Sequence, residues 1–266
     1  MSQTVSSASI GGMIFSLCLA VLLPIALMII AKIKLKPWFL SVLVGAGTFI
    51  AFAFVLESIL HSVVALSTGD LLTTNMWFRA IYGGLAAGIF EETGRLVAYK
   101  TVMKKYLTKE SSIMYGIGHG GIEAIIIVGS ACISNLATAF MVNNGSIETL
   151  YATLTEPTLS ATKAGVETLI ATPALTFYLA GVERISAIAL HICLSYVVYR
   201  AVKDKNIKLF FLAIAIHAFV DAITVILAAT VSTIALEVIL MAMVAVIAVF
   251  VIKAYRNEPS TIEEIA

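Results

Sequence analysis

Long apolar runs alternate with short polar connections along this chain, and the runs set its architecture. Crossing a hydrocarbon layer of about 30 Å takes roughly 20 apolar residues in a helix. About seven stretches meet that length: 10–31, 38–60, 77–99, 112–142, 182–202, 208–230 and 232–252. They predict an all-α, polytopic transmembrane helical bundle, one integral-membrane domain over 1–266 with its polar positions concentrated in about 77–230. Lys32, Lys34 and Lys36 follow the first run directly, with no small-residue cleavage site, so that run is expected to stay as a span rather than leave as a signal peptide. Residues 143–165 read as an external loop. The segment 166–180, with Pro173 inside it and Gly181 after it, is expected as a short re-entrant helix, an eighth element that must pack on protein or line water.

Composition agrees with this pattern. The chain is 60% hydrophobic and 12% charged, with a mean hydropathy of +1.02, outside the range of soluble domains. A net charge of +1 carries no electrostatic footprint for nucleic acid, which is excluded as a partner. Cys18, Cys132 and Cys193 lie inside apolar runs without metal-knuckle spacing and read as small core residues.

The basic residues orient the spans. Lys32, Lys34 and Lys36, then Lys100, Lys104, Lys105 and Lys109, then Arg200, Lys203, Lys205 and Lys208, then Lys253 and Arg256 fall on alternate connections, 13 of the 17 in all. The opposite connections hold only Lys163, which places the N-terminus outside and the C-terminus in the cytoplasm. The expected location is the cytoplasmic membrane of a prokaryote. Two glycine clusters, Gly83-Gly84 with Gly88 and Gly116-Gly118-Gly120-Gly121, predict close backbone packing of spans three and four.

Charged groups in mid-membrane cost about 2.5 to 3.5 kcal/mol each, so each needs a reason. Span three carries Glu91, Glu92 and Arg95; span four His119 and Glu123; span five His191, with Glu183 and Arg184 toward its outer end; span six His217 and Asp221. At about 1.5 Å per residue, Glu91, Glu92 and His119 come out roughly 11 Å from the cytoplasmic end, His217 roughly 14 Å and His191 roughly 17 Å. Four helices thus converge at one level. His217 and Asp221 are four apart and share a face, as do Tyr115, His119 and Glu123, whereas adjacent Glu91 and Glu92 point about 100° apart and cannot share a role. A lone membrane histidine is most often a helix–helix hydrogen bonder; three at one depth beside two glutamates point to metal or proton chemistry. A zinc hydrolase needs about three His or carboxylate ligands, an open position for water, and a carboxylate base. His119, His217 and Asp221 or His191 would supply the ligands, and Glu91 or Glu92 the base. Glu183 and Arg184 read as a structural ion pair or a gate, with Arg184, Tyr115 and Glu123 as supporting groups. Arg79 snorkels to the interface beside Trp77. Glu57 and Glu237 are expected to reach water near span ends and receive no role. There is no HExxH.

The order EExxR, aromatic-xxx-His and HxxxD, here Glu91-Glu92-Thr93-Gly94-Arg95, Tyr115-Gly-Ile-Gly-His119 and His217-Ala-Phe-Val-Asp221, resembles the glutamate intramembrane proteases that include the CAAX prenyl endopeptidases, the CPBP family and PrsW-type proteases. The segments FEETGR, GIGHGGIEA, GVERISAIALH and HAFVD more closely resemble the YhfC family of intramembrane metalloproteases. The resemblance implies a helical-bundle endopeptidase whose metal or activated water is held by one Glu of the pair, His119, His217 and Asp221, the other Glu being the base. The prenyl endopeptidases space the arginine one residue farther and usually end the last motif in Asn, so which Glu is the base stays open, and His191 is a third imidazole ligand or an oxyanion stabiliser. No prenyl substrate is implied. The expected activity is zinc-dependent cleavage of membrane-protein or peptide substrates entering from the cytoplasmic half. The alternatives are a proton- or ion-coupled transporter, against which the lack of a repeated motif speaks, and a non-catalytic adaptor of the same fold.

Overall fold

The computed structural model describes residues 4–259, and among them every regular element is a helix. The long helices are α1 (Ser7–Leu35), α2 (Ser41–Thr68), α3 (Met76–Lys100), α4 (Lys109–Asn144), α5 (Thr158–Ala171), α6 (Ala174–Lys203), α7 (Ile207–Thr230) and α8 (Thr233–Asn257). Six of them, α1, α2, α4, α6, α7 and α8, are long and apolar enough to cross a membrane. Helix α3 has the length, at 25 residues; its Arg79, Glu91, Glu92 and Arg95 keep it out of that apolar set. The sequence also determines the ends. Asn75 and Asn206 accept hydrogen bonds from Phe78 and Lys208 at the starts of α3 and α7, and Gly145 closes α4 in the left-handed conformation.

The expected re-entrant helix over 166–180 is not formed. Helix α5 stops at Ala171, and α6 runs unbroken from Ala174 through Gly181 to Lys203. Pro173 holds the preceding Thr172 extended and opens the new helix, where its missing N–H costs nothing. Gly181 is not a stop but a close approach, because a Cβ there would press on Ser16.

Two compact units divide the chain. The first comprises residues up to Leu23 with Ala124–Arg184, and the second Pro24–Glu123 with the residues from Ile185 on. Within the first, Gly11 and Gly12 lie against Tyr178 and Phe177, Ser16 donates to the Phe177 carbonyl, and the Asn143 amide pairs with both backbone groups of Val5.

The second unit holds nearly all of the polar residues singled out above. Its glycines set the spacing, though not as the sequence suggested, since the two clusters do not pack on each other. Gly84 and Gly88 of α3 receive the α7 backbone at Ala218, Ala222 and Ile214, in an antiparallel run. Gly118 of α4 lies against the Val42 carbonyl of α2, while Gly116 and Gly120 face Ile192, Ile188 and His191 of α6. A glycine permits close approach without specifying the partner. Toward the basic end, Tyr99, Tyr115, Leu194 and Tyr196 are almost wholly buried, with Tyr99 and Tyr115 edge to face at 4.9 Å.

At that same end Glu258, just past α8, accepts hydrogen bonds from Tyr199 at 2.6 Å, Tyr196 at 2.7 Å and Lys203 at 2.8 Å. Burial pushes its carboxyl upward, but the hydrogen bonds from Lys203, Tyr199 and Tyr196 outweigh it and hold the group below the usual glutamate value. Lys109 caps the helix end through the Tyr255 and Glu258 carbonyls. A carboxyl held low in the fold contributes stability that is present above its ordinary value of about 4.3 and is lost as pH falls through the folded value. Glu258→Gln is therefore expected to lower stability by about 1 kcal/mol at neutral pH, a deficit that closes in acid; thermal unfolding in detergent across pH reads it, and a deficit that grows in acid contradicts the assignment.

Candidate functional site

Helices α3, α4, α6 and α7 bring Glu91, Glu92, Arg95, His119, Glu123, His191, His217 and Asp221 into one polar cluster within the second unit. Their contacts divide it into layers. Glu92, Arg95 and His119 are fully enclosed, and Glu91, His191 and His217 nearly so, at 7%, 3% and 2% exposure.

Each of the three imidazoles has its own carboxylate. His217 Nδ1 lies 2.8 Å from Glu92 Oε1, His119 Nε2 lies 2.7 Å from Glu91 Oε2, and His191 Nε2 is paired with Glu123 Oε2. A carboxylate acceptor places the hydrogen on the nitrogen it faces, which leaves the other ring nitrogen bare. His191 supports this assignment independently: its Nδ1 is 3.4 Å from Arg95 Nη2, a group that can only donate. Arg95 also pairs with Glu92, closing a chain from the guanidinium through Glu92 to His217.

Glu91 lies where two of these nitrogens, those of His191 and His217, approach each other. Its Oε2 is 3.8 Å from His191 Nδ1 and 4.0 Å from His217 Nε2, and the ligand atoms of Glu91, His191 and His217 all lie within 4.8 Å of one another. Asp221 Oδ2 is 3.5 Å from His217 Nε2, with its side chain 38% exposed. Two features fit a divalent ion: two imidazole nitrogens and a carboxylate converge, and the cluster's four acids, Glu91, Glu92, Glu123 and Asp221, outnumber its one guanidinium, Arg95.

The remaining expected residues separate. Tyr115 stacks near His119, ring centroids 6.0 Å apart, and lies 5.9 Å from the Arg95 guanidinium carbon. Arg184 belongs to the first unit and pairs with Glu183 at 2.5 Å.

Sequence reasoning misplaced two acids. Glu57 and Glu237, expected in water, are both buried, each 7% exposed. The boundary at 60 caused the error for Glu57, since α2 continues to Thr68 and leaves Glu57 well inside. Glu57 meets His61 Nε2 at 3.2 Å, four residues on, the same spacing that marked His217 and Asp221. Two π-helical segments, Ile50–Glu57 in α2 and Ile125–Gly129 in α4, adjoin buried Glu57 and half-buried Glu123. Such a turn resets the helix phase by one residue and is common where a side chain must be re-aimed.

Comparison with known proteins follows the same lines. The family described as YhfC intramembrane metalloprotease matches residues 19–249. A relative from Bacillus subtilis (strain 168), described as uncharacterized membrane protein YhfC, is 37% identical over 217 residues, covering 80% of this chain and 83% of its own. No solved structure matches.

Breaking a buried ion pair costs about 3 to 5 kcal/mol by stranding one charge, whereas removing both charges costs less. Arg95→Ala is accordingly expected to be far less stable than the double variant Glu92→Gln/Arg95→Gln, read by unfolding in detergent. An Arg95→Ala protein as stable as wild type contradicts the buried pair.

Proposed function

Because the chain belongs to the YhfC family of intramembrane metalloproteases, we propose that it is a zinc-dependent endopeptidase that hydrolyses peptide bonds of membrane-associated substrates at the Glu91–His191–His217 centre. The observation that carries the reading is the convergence of those three ligand atoms within 4.8 Å, with each histidine backed by a carboxylate. The nitrogen and oxygen donor set suits zinc, with Glu91, His191 and His217 as the residues that would hold it. A bound divalent ion supplies Lewis acidity toward a carbonyl and makes water a nucleophile near neutral pH.

The chain's own residues perform the remaining work. Glu92 accepts a hydrogen bond from His217 Nδ1, which turns Nε2 to the centre as a lone pair, and Glu123 accepts one from His191 Nε2, which does the same for His191 Nδ1. His119 donates to Glu91 Oε2 and fixes the carboxylate's orientation. Arg95 keeps Glu92 in place, and the His191 Nδ1 lone pair that Arg95 Nη2 faces at 3.4 Å is the one a bound ion would take. Glu92 is sealed from water, and Glu91 is committed to the centre. Asp221 is left as the carboxylate close to His217 Nε2 that is also open to solvent, and it takes the proton from the attacking water and returns it to the leaving amine.

Glu91→Gln is expected to lose both the ion and cleavage, and Asp221→Asn to keep about one zinc per chain while cleavage falls by about 10²-fold or more. Metal content of protein purified without chelators, beside cleavage of co-expressed membrane peptides, reads both. Retention of zinc by Glu91→Gln with its loss from Asp221→Asn would exchange the two roles, and an unaltered metal content in both would remove the centre.

A further inference from the structure

Helix α3 runs antiparallel to α7, with Gly84 against Ala218 and Ala222 and Gly88 against Ile214 and Ala218. This register puts Asp221 level with Tyr82 and Gly83, roughly two turns beyond Glu91 toward the start of α3. His61 of α2 reaches the same level, its Nδ1 2.8 Å from the Tyr82 hydroxyl, and Glu57, one turn deeper, joins it through Nε2 at 3.2 Å. Space is open at this level: a Cβ on Gly83 would meet nothing within 4 Å, whereas on neighbouring Gly84 it would strike α7.

An imidazole with 43% of its side chain exposed and a carboxylate with 38% exposed are costly against lipid. Each has a partner, yet much of its polar surface stays open, and polar surface at membrane depth faces the bundle interior or water-filled space rather than lipid. The opposite end of the cluster is sealed, since Arg95, Tyr99 and Tyr115 are at 0% exposure and Tyr196 at 1%.

We propose that Glu57, His61, Tyr82, Gly83 and Asp221 line a hydrated entry through which water and substrate reach the buried centre from the end bearing the 69–75 connection, remote from the basic clusters. This reverses the expectation of entry from the cytoplasmic half. It deepens the endopeptidase reading, yet its test needs neither metal nor activity, so either can fail alone.

The test uses the full chain with Cys18, Cys132 and Cys193 replaced by Ala, in native membranes, and a charged, membrane-impermeant methanethiosulfonate. Gly83→Cys and His61→Cys are the probes. Gly47→Cys is the matched control, because a Cβ there also meets open space but on the exposed face of α2. Asp70→Cys and Lys105→Cys mark the two ends. Gly83→Cys is expected to react roughly a hundredfold faster than Gly47→Cys, the factor set by the cost of bringing charge into hydrocarbon, and from the side that labels Asp70→Cys. Reaction no faster than Gly47→Cys, or only from the Lys105→Cys side, overturns the proposal. Hydroxyl-radical footprinting of the unaltered chain guards against misfolded variants: Tyr82 and His61 oxidise while Tyr99 and Tyr115 stay protected, and a Tyr82 as protected as Tyr99 is equally fatal.

Discussion

A fully buried guanidinium, Arg95, constrains the rest of the polar interior. It cannot lose its proton and cannot reach water, so Glu92 must stay ionised beside it, and Glu92 in turn must face His217 across the helix interface. That reach is possible only because α3 and α7 approach closely through Gly84 and Gly88. The small residues on one face of α3 and the charges farther along it therefore serve one arrangement: the first set the distance, and the second use it. Such a pair contributes little net stability against a well-packed apolar alternative; what it contributes is a unique register.

The same economy extends to the histidines. A neutral imidazole presents a ligand nitrogen only if its other nitrogen has somewhere to place a proton. Glu92 and Glu123 meet that need for His217 and His191, and His119 meets the complementary need of Glu91. The two π-helical segments sit beside Glu57 and Glu123, on the helices that must aim an acid inward from an otherwise apolar surface. Electrostatics and backbone geometry thus act toward one preorganised centre with an excess of negative charge, the surroundings that favour a divalent cation.

Much of this could be read from residues alone because membrane insertion makes every polar side chain conspicuous. Spacing of four put His217 and Asp221 on one face, and they lie 3.5 Å apart; the 100° between Glu91 and Glu92 matches their different partners, His119 for Glu91 and Arg95 with His217 for Glu92. What spacing along one helix cannot supply is the partner across an interface. The pairing of His191 with Glu123, the sealing of Glu92 and the choice of α7 rather than α4 as the neighbour of the Gly83–Gly88 stripe all depend on where helices sit. Pro173 and Gly181 misled for a related reason, since one begins a helix and the other is a contact, and neither interrupts the membrane segment. Glu57 was missed because hydropathy marks the apolar stretch of a helix and not its end.

The central claim is a nitrogen and oxygen metal centre built from two imidazoles and Glu91. X-ray absorption at the zinc edge, on protein purified in detergent without chelator, addresses it directly. The account predicts about one zinc per chain with a light-atom shell that includes two imidazoles and no sulfur. A chain that retains no stoichiometric metal, or one whose shell contains sulfur, would contradict it.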